Sequence, residues 1–426
     1  MKRIFIILLF AVPIIVFGYY SFFYLINENR IQGHKVVLCI PVYGQSLALG
    51  EEAVRITDFD SLKLKYDGRI VNEDLNYHFG CYYDTRWKRF IKRFFRDYRR
   101  SFELSIYRMA EDLVTKIGKD TIICTFPGGM GESNISYFAK GNWLYPILIS
   151  DIKNAYDIAN KKGWEFYVPA ICWMQGESDI IDYTDVDYQK ALKQIQTDLN
   201  HEVKVITHQT TDVHLICYQS NAVSIAKKFN PISYDCVEMK PSQAIVDFIN
   251  DDSLFDASGP TYPYNFMREY LHIDAIGQQH IGHLEAIAVM NIIRGRGKTY
   301  GLIPQTISAE GNDVLIKFHV SCLPLVIDTV NVKYVDNYGF SVIDKKGENI
   351  LSHLSIEGDT VRLSCIKSPI DCKVRYAVNG EKTKSGPQHG PRGNLRDSQG
   401  EREFFSVQGI TFPVYNWAYQ FDMLCE

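Results

Sequence analysis

Apolar and polar positions along this chain fall into two rhythms: short β-branched runs and longer stretches at helical spacing. Val36–Ile40 is a short apolar run closed by Pro41, too short for a helix, and reads as a buried strand. Thr121–Phe126 repeats the pattern and stops at Pro127-Gly128-Gly129-Met130-Gly131. Trp164–Trp173 is a third run, ending in Met174-Gln175-Gly176-Glu177-Ser178-Asp179, and Val203–Thr207 a fourth. Helical spacing fills Thr85–Gly118, Asn142–Lys162, Tyr188–Asn200 and Asp274–Arg294, with shorter helices over Ala222–Asn230 and Ser242–Asn250. Glu51–Tyr83 is irregular and polar and reads as surface loops. Strands alternating with helices imply right-handed crossovers and a mainly parallel sheet with helices on both faces, a three-layer α/β/α arrangement.

From about Thr306 the rhythm changes. Val314–Val320, Val330–Val335, Phe340–Ile343, Val361–Cys365 and Val374–Ala377 are short β-rich runs between Gly, Asp and Asn turns, which predicts an antiparallel β appendage. Upstream of the first strand, Ile4–Ile26 is apolar and uncharged, long enough at ~1.5 Å per residue to cross a hydrocarbon core of ~30 Å. Lys2 and Arg3 precede it, so the positive-inside rule leaves the amino terminus in the cytoplasm and the rest of the chain outside. A single-pass signal anchor is expected, with secretion after signal cleavage as the alternative. The expected division is therefore 1–30 as anchor and linker, 31–300 as the α/β domain and 301–426 as the β-rich C-terminal domain.

Composition adds little to this picture. Charged residues make up 23% and hydrophobic ones 46% of 426 residues, ordinary globular values, and a formal net charge of −4 gives no general affinity for nucleic acid. The 27 Tyr and 24 Phe suit a sugar groove but suit strand-rich cores better. Arg86, Lys88, Arg89, Lys92, Arg93, Arg96, Arg99 and Arg100 make the first long helical stretch basic and amphipathic. A solvated helix face is the plainer reading, and a surface for anionic lipid or acidic polysaccharide the other.

Open α/β sheets bind ligands at the carboxyl ends of their strands. Three successive strand ends here carry Gly44-Gln45-Ser46, Gly128-Gly129 and Gln175-Gly176-Glu177, and they are expected to share one crevice. Taken alone, Ser46 fits a helix cap better than a nucleophile. Acyl transfer also needs a base, a group that orients it and oxyanion donors. Glu269-x-x-His272 offers a carboxylate and an imidazole three residues apart, and the Ser46 N–H, the Gly129 N–H and the Gln175 amide offer three donors.

Together, Gly44-Gln45-Ser46, Gly128-Gly129, Trp173-Met174-Gln175-Gly176-Glu177-Ser178-Asp179 and Glu269-x-x-His272 resemble the sialate O-acetylesterase-like branch of the SGNH hydrolases, a family of carbohydrate esterases. The resemblance spans roughly Lys35–Gly295, and Gly393–Ser398 and Tyr415-Asn416-Trp417 also look like the tail of bacterial members. It implies an SGNH-type three-layer fold and a serine carbohydrate O-acetylesterase without metal or other cofactor. Ser46, His272 and Glu269 are then catalytic, and Ser46, Gly129 and Gln175 form the oxyanion hole. Gln45, Glu177 and Asp179 support them from behind. The substrate is an O-acetylated carbohydrate, met on the extracytoplasmic side (the periplasm, if the source is bacterial). A glycan O-acetyltransferase, or a catalytically weak glycan-binding member of the fold, is the alternative.

Two positions depart from the family pattern. Leu47 replaces the usual Asn after the serine, and Glu269 the usual Asp before the histidine. Elsewhere Trp173 reads as packing, His280 and His283 as a surface pair, and His208 and His214 as structural. Cys39, Cys124 and Cys172 read as small buried hydrophobes. Cys365 and Cys372 are close enough along the chain to pair.

Overall fold

A computed structural model describes residues 33, 35–75, 102–182, 186–268 and 270–426. The expected membrane segment, most of the basic amphipathic stretch and Glu269 lie outside these residues. Among the described residues no helix is long and apolar enough to cross a membrane.

The chain opens with β1 (Val36–Cys39) and β2 (Val42–Gly44), separated by Pro41. Next come α1 (Phe59–Lys65), β3 (Ile70–Val71), α2 (Ser105–Lys116), β4 (Thr121–Cys124) and β5 (Pro127–Gly129). They are followed by α3 (Tyr145–Lys161), β6 (Glu165–Tyr167), β7 (Ala170–Met174), α4 (Glu177–Ile181) and α5 (Tyr188–Thr207). The α/β part closes with β8 (His214–Gln219), α6 (Lys240–Asp251), β9 (Phe255–Pro260) and α7 (Ala275–Ile293).

All strand pairs among β1–β9 are parallel, in the orders β3-β4-β1-β6 and β5-β2-β7-β8-β9. The breaks at Pro41 and its neighbours do not divide the sheet. Ile40 N donates to Cys124 O at 2.8 Å, Val42 N to Phe126 O at 3.0 Å and Cys172 N to Pro41 O at 2.9 Å, carrying the ladder through. Side chains alternate as a sheet buried on both faces requires. Val37 and Cys39 join the core under α3, α5 and α6, whereas Leu38 and Ile40 join the core under α2 and α7. The three-layer α/β/α arrangement is present.

Several predicted elements differ. Val203–Thr207 is the last turn of α5, not a strand. Val203 and Thr207, four residues apart, are buried while Val205 is 58% exposed, a helical rhythm that the β-branched composition hides. The fourth long strand is β8 instead. Within the stretch read as loops, Asp58 accepts from Asp60 N and Ser61 N and starts α1. Ala222–Asn230 holds only a short 3₁₀ turn, Val223–Ile225. Val330–Val335 is a turn, because the Asp328 carboxylate captures Val330 N at 2.9 Å and Asn331 N at 2.8 Å.

The C-terminal antiparallel β region has its own core around Phe318, Val342, Val374 and Phe421. It is more than an appendage: Gln219 Nε2 donates to Gln420 O at 2.8 Å, Gln420 N returns to Gln219 Oε1 at 2.7 Å, and Tyr419 packs into the α/β core. Cys365 and Cys372 are both free, buried in this core as small apolar groups. His280 and His283 are not a surface pair either. Residues 404–414 cover them, with Phe405 4.9 Å from the His280 ring. His283 meets Asp112 at 2.7 Å and Glu403 at 3.2 Å.

Glu285 of α7 is fully buried behind β7, with Ser105 and Cys172 as polar neighbours. Burial pushes its carboxyl up to about 8 from 4.5. A group whose folded pKa is raised binds more protons folded than unfolded, so its contribution is fullest below about 4.5 and fades as pH rises through about 8. Glu285→Gln is expected to raise stability at pH 8 by a few kcal/mol, on the order of one to three, and to flatten stability between pH 5 and 8. Urea unfolding at several pH values checks this. Parallel pH curves for the two proteins would contradict it.

Candidate active site

The crevice begins where β2 ends, with β5 on one side and β7 on the other. Gly44 pairs with Gly129 and with Met174, so three strand ends meet at one level. The chain leaves β2 for one half of the sheet and later returns beside it at β7, which makes this a topological switch point. The backbones approach so closely that only glycine fits. A Cβ on Gly44 would lie 1.9 Å from Met174 O, and one on Gly129, at φ +134°, 1.7 Å from Gly44 O. Met130 N donates to Gly44 O at 3.2 Å and Gln45 N to Met174 O at 2.9 Å, fixing the turns to one another.

Ser46 opens a 3₁₀ turn, Ser46–Leu49, whose cap position is Gln45, so Ser46 is not the cap. Gly50 closes the turn in the left-handed region, and Glu51 N donates to Ser46 O at 3.0 Å. Leu47 points into the core between α2 and α7, where Gln278 Nε2 donates to its carbonyl at 3.0 Å. Position 47 is therefore a packing site here.

Gln45, Gln175 and Asp179 form a brace behind the turns. Gln45 Oε1 accepts from Ser178 N at 3.3 Å, Gly176 N at 3.4 Å and Gln175 Nε2 at 3.3 Å. Gln175 Nε2 also donates to Ser133 O at 3.2 Å and to Asp179 Oδ2, which in turn accepts Ile135 N at 2.9 Å. Gln45 and Asp179, expected to stand behind the catalytic groups, lie in this brace. Gln175 differs from its expected role: its amide hydrogens face the brace rather than the crevice. Trp173 is packing, fully buried with its ring edge-on to Tyr43 and Phe138.

His272 lies in the loop between β9 and α7. Met267 N donates to His272 O at 2.7 Å, Phe266 bridges Ile273, and Asp274 caps α7 by accepting Gly277 N at 2.7 Å. Two carboxyl groups, Glu177 and Glu51, lie close enough to its imidazole to interact with it electrostatically. Burial raises the pKa of Glu177, and the Tyr218 hydroxyl, Ser220 and His272 oppose that rise. Burial likewise raises Glu51, with His272 pulling against it and Glu132 and Glu52 adding to it. Glu51 is tied to the Ser46 turn and its carboxylate lies against Gly131, where a Cβ would come within 2.9 Å of it. Glu177 follows the β7 turn that Gln45 caps. The imidazole thus sits within electrostatic reach of both the Ser46 turn and the β7 turn.

The sequence reading missed Glu51, which fell in a stretch taken for loops, and Tyr218, which sits on the unrecognised strand β8. Neither carried a motif. His208 and His214 are at the opposite edge, because β8 starts, rather than ends, at His214. There His214 Nδ1 pairs with Asp256 at 2.8 Å.

Residues 107–291 match the family described as carbohydrate esterase, sialic acid-specific acetylesterase. The matched span holds Gly129, Gln175, Glu177, Asp179, Glu269 and His272, and Ser46 precedes it. This region is a sialate O-acetylesterase-like carbohydrate esterase. The esterase domain is accordingly a hydrolase acting on ester bonds. Among solved structures the chain is similar to XAC1771, a carbohydrate acetylesterase from Xanthomonas citri. Identity is 15% and the TM-score 0.56, over 91% of this chain and 80% of that one, a likeness of fold. NanS (14% identity, TM-score 0.43) is covered over 100% of its length and 62% of this chain. A protein from Arabidopsis thaliana (14%, TM-score 0.40) is covered over 99% of its length and 61% of this chain. No curated protein matches the chain in sequence.

Proposed function

We propose that the esterase domain removes acetyl groups from an O-acetylated sugar or polysaccharide by a serine mechanism. Ser46 Oγ attacks the acetyl carbonyl while His272 takes its proton. The tetrahedral intermediate collapses to acetyl-Ser46, and the sugar hydroxyl leaves with the proton held by the imidazole. Water, deprotonated by His272, then releases acetate and restores the serine. The N–H groups of Ser46 and Gly129 stabilise the oxyanion, with Gln175 bracing the loops that aim them. The observation carrying this reading is the meeting of the Ser46, Gly129 and Gln175 turns at the switch point, with His272 within electrostatic reach of Glu51 on one side and Glu177 on the other. Acetate release from a panel of O-acetylated glycans tests it. Release from at least one is expected, and none from any would overturn the reading.

Glu269 is the proposed partner that orients His272. A second reading gives that role to Glu177, because its buried carboxyl lies in the field of the imidazole and is held by Tyr218. The two separate cleanly. If Glu269 orients the base, Glu269→Gln lowers kcat by ~10³ or more while Glu177→Gln stays within about tenfold of wild type. The reverse order would move the role to Glu177.

The uncharged Ile4–Ile26 run behind Lys2-Arg3 supports a membrane-anchored domain facing away from the cytoplasm, the secreted form being the alternative. Protease added to intact spheroplasts is expected to digest the domain, and full protection would contradict that placement.

A further inference from the structure

The loop that carries His272 is held partly from outside the α/β sheet. Tyr270, two residues before the imidazole, has φ +60°, a conformation that a bulky side chain keeps only where its surroundings over-determine it. Those surroundings include a strap of the C-terminal β region, residues 379–392. Thr383 N donates to Ser224 O at 3.0 Å, Ser385 Oγ to Asn221 O at 3.1 Å and Gly386 N to Asn221 Oδ1 at 3.0 Å. Asn221 and Ser224 follow the carboxyl end of β8, the strand beside β7, so the strap is bolted to the crevice edge. From it Lys384 places its ammonium 4.0 Å from the centroid of the Tyr270 ring. Both side chains are half-buried, which strengthens attraction between a cation and a ring face. Leu271, between Tyr270 and His272, packs against a cluster that includes Val378 of the same C-terminal region.

We infer that Lys384 is a positioning residue of the esterase: its contact with Tyr270 holds the His272 loop where the imidazole meets Ser46. The inference rests on the proposed role of His272 as base. Displacement of a base by a fraction of an ångström is felt in kcat more than in KM, because ground-state binding needs the imidazole less than proton transfer does.

The test compares full-length Lys384→Met and Lys384→Arg with wild type. Lys384→Met is expected to lower kcat for acetate release about three- to tenfold with KM within about twofold. The ring C–H resonance of His272, identified by its loss in His272→Ala, is expected to broaden or split in the same variant. Lys384→Arg keeps a cation over the ring and is expected to restore both. The inference is overturned by an unchanged resonance, by a rise in KM with kcat intact (a direct substrate contact), or by an arginine variant no better than methionine. If wild type releases acetate from no ester, the proposed function fails while the resonance comparison still decides the Lys384 contact.

Discussion

Ser46→Ala is expected to lower kcat for acetate release by roughly 10³ or more while leaving KM and the thermal midpoint close to wild type. The reasoning is local. Ser46 is buried at the end of β2, but its turn is held by backbone bonds, Glu51 N to Ser46 O and Gly50 N to Leu47 O, and by the Gln45 brace. None of these involves the hydroxyl, so its removal leaves the turn standing. What disappears is the atom that forms the acyl-enzyme. His272→Ala should cost about as much, since nucleophile and base act as a unit, and the double variant little more than either. Activity within tenfold of wild type in Ser46→Ala would remove the serine from the mechanism.

Gly129→Ala is expected to damage both stability and activity, where Gly128→Ala, one residue away, is expected to be tolerated. At Gly129 a methyl group would lie 1.7 Å from Gly44 O, on a backbone at φ +134°. At Gly128 it meets only ordinary contacts, Leu148 Cδ1 at 3.4 Å and Tyr43 Cδ2 at 3.5 Å. Overpacking and strain together should destabilise Gly129→Ala by about 3 kcal/mol or more. Relief can come only by parting β2 from β5, which moves the Ser46 turn away from its proposed oxyanion donors, so a loss in kcat of ~10² or more should accompany it. Denaturant midpoints and kcat for the two alanine variants read this directly. Equal behaviour of the pair would show that the close approach does not govern the site.

The strand ends were legible because each is a short apolar run stopped by glycine or proline, and a parallel sheet then forces those ends to one edge. The chain order alone thus placed Ser46, Gly129 and Gln175 together. The failures have equally local causes. Val203–Thr207 carries a strand's composition on a helix's burial rhythm, and only packing against the sheet separates the two. Val330–Val335 lost its strand to one upstream carboxylate. Gln175 has the amide an oxyanion hole wants, but two acceptors contributed by distant parts of the chain, Gln45 and Ser133, turn it inward. Glu51, Tyr218 and Lys384 join the neighbourhood of His272 only through tertiary structure, and no spacing announces them.

The most direct test of the central claim is covalent. Full-length protein treated with a fluorophosphonate and digested should yield, by mass spectrometry, one dominant adduct on the peptide containing Ser46, and the loss of acetate release should track that labelling. Full inactivation with the adduct on another residue, or undiminished acetate release from a chain fully labelled at Ser46, would contradict the account.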